Sequence, residues 1–400
     1  MDDRPLLPST LHDLMCIAAY CIAAIVILWP RYNYRVKQWL LVFVNIIGLF
    51  VMFLSIKSQD LVAFGSLIVV ILAHWILLRL FNNRKNDDDR LYWLAFLFPI
   101  VLLIAVKSQS AIHLLGLSYL TFRMAQTVFE LRGYSGPAIG LGEYLAFLIF
   151  PPTFSSGPIS PFLYYRETAT GASICRDNFA QGLLRIAVGY IKYRFLANVA
   201  QELTFGHLWS DGFRHNWFDF VLSGSAYYVY LYLNFSGYTD IAIGMSAVIG
   251  IRVKENFDNP FLARNIRDFW RRWHMSLTEF VRDVVFTPLS MTLLRWFGVR
   301  FTNTVFAVAA FATFSVLAAW HGIQAGYFLF YGAHAAAFVL NQAIENELRR
   351  RGRPVLRAYM ENPWIAAVSR VTTFLFISVT FAFFELQSWS EIKRISALMM

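Results

Sequence analysis

Long apolar runs separated by short polar loops recur along the whole chain. Five of them lie in the first third, at residues 11–29, 39–56, 61–81, 91–106 and 112–131. Seven further candidates follow, at residues 144–159, 179–203, 218–235, 238–251, 302–320, 323–344 and 364–384. Because about 20 helical residues cross an apolar bilayer core about 30 Å thick, most of these runs are long enough to span a membrane. The pattern predicts an all-α, polytopic membrane protein of about 11–13 helices, some of them re-entrant.

The composition agrees with a membrane protein. Hydrophobic residues make up 58% of the chain and charged residues 15%, whereas about a quarter of the residues in soluble domains are charged. The formal net charge of +10 is compatible with a nucleic-acid partner, but the basic residues fall in short loops rather than along one face, so we expect no nucleic acid. Cys16, Cys21 and Cys175 have no metal-ligand or redox spacing, and we predict no metal site.

Three loops rich in arginine and lysine indicate the orientation in the membrane. They contain Arg31, Arg35 and Lys37; Arg84, Lys85 and Arg90; and Arg349, Arg350, Arg351, Arg353 and Arg357. Basic residues in short loops favour the cytoplasmic side, so we expect these loops in the cytoplasm and the N-terminus outside. The chain starts without a basic signal-peptide region, and we expect the first run to remain as an uncleaved span. No repeat divides the sequence, which predicts one membrane domain over residues 1–400.

Residues 256–287 interrupt the apolar pattern with many charges. Polar side chains recur there at intervals of three and four residues: Arg267, Arg271, His274 and Thr278. This spacing predicts a helix at the membrane interface or dipping into the protein, with Pro260 and Pro288 as helix breakers. An amphipathic helix resting on anionic headgroups is the alternative. Asp268 and Asp283 could pair with the arginines, which favours a buried polar network.

Three shorter stretches also break the membrane pattern. His321 directly follows the apolar run at residues 302–320, and the next run starts two residues later, at residue 323. An ionisable group at membrane depth suggests a functional role. The alternative is a histidine that caps a helix or bonds to a neighbouring helix, and His334 fits that structural role better. Residues 151–158 contain three prolines and cannot continue an ordinary helix, and residues 234–240 suggest a polar hinge between two segments. Together these breaks suggest an internal polar path.

Common catalytic motifs do not occur in the sequence. There is no phosphate-binding loop, no HExxH helix, no CxxC pair and no GxSxG elbow. Two histidines in apolar surroundings fit general-base chemistry, and acyl transfer from an activated thioester asks for little more than water exclusion, alignment and oxyanion stabilisation. A transporter or flippase with broken helices is the alternative from another class. A scaffold subunit that has lost its chemistry is a third interpretation.

The longest polar motif resembles one family. Residues 265–277, with the sequence NIRDFWRRWHMSL, are followed by Arg282-Asp283 and later by Trp320-His321-Gly322, which is similar to the membrane-bound O-acyltransferase superfamily. Residues 116–122, 156–159 and 234–238 resemble the same superfamily, so the motif-bearing core covers about residues 116–341. Residues 259–266 and 273–277 are most similar to the bacterial branch that contains the teichoic acid D-alanyl transfer protein and the alginate O-acetyltransferase. They favour the D-alanyl member.

The resemblance implies a ring of helices around a central tunnel, in the inner membrane of a bacterium. It implies that His321 is the catalytic histidine and His274 the second active-site histidine. The motifs provide these candidate substrate-binding residues: Trp270, Arg271, Trp273, Trp320, Asn265, Asp268, Asn234, Gly157 and Pro158. Asn234 departs from the family pattern, because relatives often have an acidic residue there.

The implied activity is O-acyl transfer without a bound cofactor. The donor would be a thioester, either on the phosphopantetheine of an acyl carrier protein at the cytoplasmic side or an acetyl donor. The acceptor would be a hydroxyl of a cell-envelope or extracellular polymer, and an extracytoplasmic acyltransferase protein is a candidate partner. We expect His321 to act as general base and His274 to position the donor or to stabilise developing charge.

Overall fold

The computed structural model describes residues 11–28, 34–54, 61–84, 89–108, 116–172, 175–209 and 214–399. These residues form helices joined by short connections, with no strand among them, which confirms the all-α prediction. The chain divides into two compact units, Met1–Gly189 with Tyr238–Lys254, and Tyr190–Gly237 with Glu255–Met400. The single domain over residues 1–400 and the central tunnel stay predictions.

The first unit consists of the N-terminal helices and the last part of a later one. Its complete helices are α1 (Leu11–Leu28), α2 (Tyr34–Leu54), α3 (Leu61–Arg84), α4 (Asp89–Lys107), α5 (Leu117–Arg132), α6 (Leu141–Leu148), α7 (Pro151–Phe154) and α8 (Phe162–Thr170). The unit boundaries fall inside α9 (Arg176–Ile191) and α12 (Trp217–Val248). Residues 176–189 and 238–248 of these two helices therefore belong to the first unit.

The second unit contains both motif histidines. After a π-helical turn at Lys192–Leu196, its helices are α10 (Ala197–Gln201), α11 (Phe205–Leu208), α13 (Ile266–Arg272), α14 (Met275–Val281), α15 (Thr287–Phe297), α16 (Thr302–His321), α17 (Ala325–Arg350), α18 (Arg353–Glu361), α19 (Pro363–Glu385) and α20 (Trp389–Leu398). Short 3-10 turns occupy Pro260–Leu262 and Val299–Phe301, and a second π-helical turn lies at Arg282–Phe286.

Within the described residues, five helices are long and apolar enough to cross a membrane. They cover Arg35–Phe53, Leu61–Asn82, Asp89–Lys107, Val299–His321 and Pro363–Glu385, with mean hydropathy between 1.7 and 2.6. Each coincides with a run predicted from the sequence, which confirms a multi-pass membrane protein. The first ten residues, Arg31 and Lys85 lie outside the described residues, and the predicted orientation of the N-terminus stays a prediction.

One predicted span and one predicted hinge differ from the structure. The run at residues 144–159 is interrupted, because α6 ends at Leu148, the short α7 begins at Pro151, and residues 155–161 are not helical. Two consecutive prolines remove backbone donors and clash with the preceding turn, so an α-helix cannot pass through them. Conversely, the hinge predicted at residues 234–240 is wrong. The 32-residue helix α12 runs through residues 234–240 without a break. The serine, threonine and single glycine in this segment only weakly disfavour a helix.

The single helix predicted within residues 256–287 is also wrong. A 3-10 turn at Pro260–Leu262, α13 and α14 replace it, and the chain breaks at Trp273 and His274. Pro260 begins the 3-10 turn that precedes α13 and interrupts no helix, and the prediction that Pro288 breaks a helix is wrong. Pro288 lies in the first turn of α15, directly after the π-helical turn Arg282–Phe286, where its missing N–H removes no α-helical hydrogen bond.

Polar contacts connect the helices of the second unit around the broken segment. Arg267 of α13 forms an ion pair with Glu345 of α17 at 2.7 Å and also donates to the side chain of Gln342. Nearer the start of α17, His334 bonds through Nε2 to the hydroxyl of Thr380 in α19 at 2.9 Å. The contact fits the structural role expected for His334. α17 therefore holds both the motif helix and the last span.

Candidate functional site

His321 is the last residue of α16 and is half-buried among aromatic rings. Tyr331 of α17 stacks on its imidazole at 5.6 Å between ring centroids, and Phe384 of α19 lies edge-on at 5.0 Å. Tyr327 and Trp320 complete the surroundings, at 5.5 and 4.3 Å. Rings on several sides limit the rotation of the imidazole, and partial exposure leaves it accessible to a substrate.

His274 occupies the break between α13 and α14 and is buried. Its Nδ1 lies 3.0 Å from the side-chain oxygen of Asn256, and the ring of Phe235 lies edge-on at 4.7 Å. The same Asn256 oxygen accepts from the backbone N–H and the hydroxyl of Ser276, at 3.3 and 2.8 Å. Asn256 thereby connects the start of the polar stretch to both sides of the helix break.

The backbone and the charge of His274 are both unusual. Its φ of 45° and ψ of 52° lie in the left-handed region, which costs a residue with a Cβ about 1–2 kcal/mol. Burial lowers the pKa of its imidazole to about 3, because the charged form loses its hydration. The residue lies outside the five membrane-spanning helices. A strained, buried and neutral histidine is more typical of a functional site than of a surface helix.

Aromatic side chains fill the space between the two histidines. From His321 the ring contacts lead through Phe384, Phe381 and Trp273, with centroid distances of 5.0, 6.0 and 5.3 Å. They continue through Phe257 and Phe235 to His274, at 5.1, 5.1 and 4.7 Å. Both predicted catalytic histidines therefore belong to one aromatic core of the second unit. A wall of aromatic rings limits the access of water to the space beside the two imidazoles.

Trp270 in α13 and Trp273 directly after this helix were both predicted to bind substrate, and both are buried in this core. Trp270 stacks on Tyr331 at 6.1 Å, so it contacts a ring that also covers His321. Trp273 packs between Phe269 and Phe257. Trp320 is half-buried next to His321. The indole nitrogen of Trp270 is buried without a hydrogen-bond partner in the described part of the chain.

Of three further binding residues predicted from the motif, two have structural contacts. The side chain of Asn265 accepts from the backbone N–H of Asp268 at 2.9 Å and caps α13. Asp268 in turn accepts from the side chain of Arg272 at 2.9 Å and from the backbone N–H of Arg264 at 3.0 Å. Arg271 is exposed. Asn265 and Asp268 therefore stabilise the turn that leads to His274, and their substrate contacts stay predictions.

The remaining candidates come earlier in the chain than the histidine motifs. Asn234 is half-buried inside α12, in the second unit. Gly157 and Pro158 are buried in the first unit, in the non-helical segment after α7. A Cβ on Gly157 would lie 2.5 Å from the Cα of Thr153, so close backbone packing explains the glycine. A substrate contact for these three residues stays a prediction.

Sequence reasoning missed the residues that surround the histidines. Asn256 was only the first polar residue of the motif stretch, and nothing in its spacing from His274 indicates a contact. Tyr327 and Tyr331 are four residues apart on α17, so their shared helix face was the signal that could have found them. Among the described residues, no group of three His, Cys, Asp or Glu side chains could hold a metal ion.

Residues 25–384 match the model of the membrane-bound O-acyltransferase family. This match covers most of the chain and includes the aromatic core with His274 and His321. The chain belongs to the membrane-bound O-acyltransferase family. It is therefore an enzyme of O-acyl transfer, and the transporter alternative is no longer favoured.

Relatives within the family fall into two named groups. The chain is 32% identical over 330 residues to a teichoic acid D-alanyltransferase of Streptococcus thermophilus, covering 76% of this chain and 77% of the relative. It is 32% identical over 284 residues to that of Bacillus subtilis, covering 69% and 70%. A probable alginate O-acetylase, AlgI, of Pseudomonas aeruginosa is 29% identical over 255 residues, covering 57% of this chain and 45% of the relative. The bacterial branch predicted from the motifs is confirmed.

Proposed function

We propose that this membrane O-acyltransferase moves an acyl group from a carrier-bound thioester at the cytoplasmic side to a hydroxyl of a cell-envelope polymer. His321 is the general base. The observation that carries this assignment is the position of His321 at the end of a span, half-buried among Trp320, Tyr327, Tyr331 and Phe384. An imidazole in such surroundings is accessible to a hydroxyl while most water is excluded.

The reaction needs no covalent enzyme intermediate. His321 removes the proton of the acceptor hydroxyl as its oxygen attacks the thioester carbonyl carbon. The tetrahedral intermediate then expels the thiolate, which takes the proton back from the imidazolium. The products are an ester and a free thiol, and His321 returns to its neutral form. An imidazole suits both steps because its ordinary pKa lies near neutral pH.

D-alanyl is the acyl group that we propose, with acetyl as the alternative. The alignment with the teichoic acid D-alanyltransferase of Streptococcus thermophilus covers about three quarters of this chain and of that relative. The alignment with the alginate O-acetylase of Pseudomonas aeruginosa covers less than half of that relative. Both acyl groups ask for the same proton transfer at His321. The acceptor is accordingly proposed only as a hydroxyl of an envelope polymer.

A basic surface supports an acidic carrier protein as the donor. The end of α17 and α18 carry five exposed arginines, Arg349, Arg350, Arg351, Arg353 and Arg357. Only three glutamates accompany them, Glu345, Glu347 and Glu361, each paired with one or more of the arginines. The remaining positive charge would speed the encounter with a negatively charged carrier. The phosphopantetheine arm and an extracytoplasmic partner protein belong to the same proposal.

Reconstituted protein offers a direct test. We expect wild type to acylate a purified envelope polymer when D-alanyl carrier protein is supplied, with an acetyl donor tested separately and the product identified by mass spectrometry. His321→Ala should reduce transfer at least about a hundredfold without changing insertion or thermal unfolding.

His207→Ala is the matched control, because His207 is an exposed histidine at α11 of the same unit. Its activity should equal that of wild type. Near-normal turnover of His321→Ala would contradict the assignment of the base. If the protein transfers acetyl but not D-alanyl, the acyl group is acetyl, the alternative given above.

A further inference from the structure

The hydrogen bonds around Asn256 determine which of its side-chain atoms faces His274. A backbone N–H can only donate, so the atom that lies 3.3 Å from the N–H of Ser276 must be the amide oxygen. The same oxygen lies 3.0 Å from Nδ1 of His274. Two acceptors cannot bond to each other, and Nδ1 must therefore carry the proton.

The other nitrogen of the imidazole is then a lone-pair acceptor. A neutral imidazole carries one proton, and burial keeps His274 neutral by lowering its pKa to about 3. Nε2 is buried and finds no hydrogen-bond partner within the described ranges. A buried acceptor without a partner is costly, so Nε2 is a candidate site for a ligand group that donates a hydrogen bond.

The backbone of His274 supports the same interpretation. Its left-handed conformation persists only because the surroundings hold it, and the hydrogen bond from Met275 N–H to the backbone oxygen of Asn256 at 2.9 Å lies directly beside it. Asn256 therefore binds the segment through both its backbone and its side chain. Asn256, His274 and Ser276 are all buried, so water does not compete for these bonds.

We propose that Asn256 is a positioning residue that fixes His274 as the Nδ1–H tautomer and presents Nε2 as an acceptor for an N–H or O–H group of a substrate. The inference rests on the proposed function for the identity of that substrate. A nitrogen without a proton cannot donate to an oxyanion. Of the two roles expected for His274, positioning a substrate fits this tautomer, and stabilising developing negative charge does not.

The tautomer can be observed without measuring activity. In protein labelled with ¹⁵N-histidine, the two ring nitrogens of a neutral imidazole have separate resonances for the protonated and the bare nitrogen. His274→Gln identifies the signals of His274 among those of the eight histidines. We expect wild type to show a protonated Nδ1 and a bare Nε2 near neutral pH. A proton on Nε2 would overturn the inference, whatever the activity of the preparation.

Two variants separate positioning from general packing. Asn256→Ala should produce a measurable population with Nε2 protonated and lower kcat/KM for transfer about tenfold. Ser276→Ala removes another donor to the same oxygen but keeps the bond to Nδ1, and its tautomer should match wild type. An unchanged tautomer in folded Asn256→Ala would refute the positioning role. If Asn256→Ala does not fold, the wild-type spectrum remains decisive.

The kinetic constants identify the source of the N–H or O–H group. A rise in KM for the carrier-bound donor in Asn256→Ala assigns the contact to an amide or ammonium N–H of the donor. A rise in KM for the polymer assigns it to the acceptor hydroxyl, and an unchanged KM for both would refute binding through Nε2. If wild type transfers no acyl group yet shows the expected tautomer, the proposed function fails while the assignment of Asn256 stands.

Discussion

Replacing Gly224 with alanine adds a methyl group where two helices of the second unit are in close contact. A Cβ on Gly224 of α12 would lie 2.4 Å from the carbonyl oxygen of Ser378 in α19 and 3.1 Å from its carbonyl carbon. Ser378 is fully buried. Because the obstructing atoms belong to the backbone, no change of side-chain rotamer relieves the overlap.

The size of the effect follows from this overlap. Ordinary van der Waals contact begins at 3.4 Å, so the new carbon and the oxygen would be too close by about 1 Å. Moving packed helices apart to accommodate an extra methyl group costs about 1–3 kcal/mol. The higher helix propensity of alanine returns up to about 1 kcal/mol. Because the overlap is large and involves backbone atoms, the cost lies in the upper part of its range, and we expect the free energy of unfolding to fall by about 1–2 kcal/mol.

Gly332→Ala provides the matched control. Gly332 lies inside α17 of the same unit, and a Cβ there would meet no heavy atom within 4 Å. The same chemical change should leave stability unchanged or raise it by up to about 1 kcal/mol. Intrinsic fluorescence of the 12 tryptophans reports thermal unfolding in detergent. A Gly224→Ala protein that melts at or above the wild-type temperature would refute the packing argument.

Three further predictions concern stability, pH and the donor. Trp209→Ala should reduce the free energy of unfolding by about 3–5 kcal/mol, because this fully buried indole packs on Phe205 and Phe220 and donates to Ser223 at 2.9 Å. In the same thermal unfolding assay, replacing the exposed Trp217 with alanine should change the free energy of unfolding by no more than about 0.5 kcal/mol. Arg349 and Arg267 lower the pKa of the Glu345 carboxyl, so its stabilisation is present above the unfolded-state pKa and is lost as the pH falls through the lowered folded-state pKa. The difference in melting temperature between wild type and Glu345→Gln should therefore shrink below about pH 4, and a constant difference would contradict the ion pair. Acyl transfer from a carrier-bound donor should slow as salt rises from about 50 to about 300 mM, while transfer from a small thioester should not, and equal salt responses would remove the basis for a charge-guided encounter.

Apolar runs predicted the membrane helices well because crossing a bilayer imposes a length and a composition that each segment must meet locally. The runs at residues 61–81 and 364–384 agree with α3 and α19 to within a few residues. The prolines at 151 and 152 likewise act locally, and the break predicted from them interrupts the run at residues 144–159. In contrast, residues 234–240 looked like a hinge, yet α12 passes through them, since weak helix formers do not end a helix that is stabilised by packing.

The order and identity of the motif residues were enough to predict the family, which is confirmed, and they also selected two histidines whose catalytic roles stay predictions. The sequence could not predict what holds them, because the contacts join residues far apart in the chain. Asn256 meets His274 across 18 positions, and His321 meets Phe384 of a different span. The left-handed backbone of His274 depends on the same long-range hydrogen bonds rather than on its own preference. Local physics thus determined the membrane segments, and only tertiary packing decided the orientation of the imidazoles.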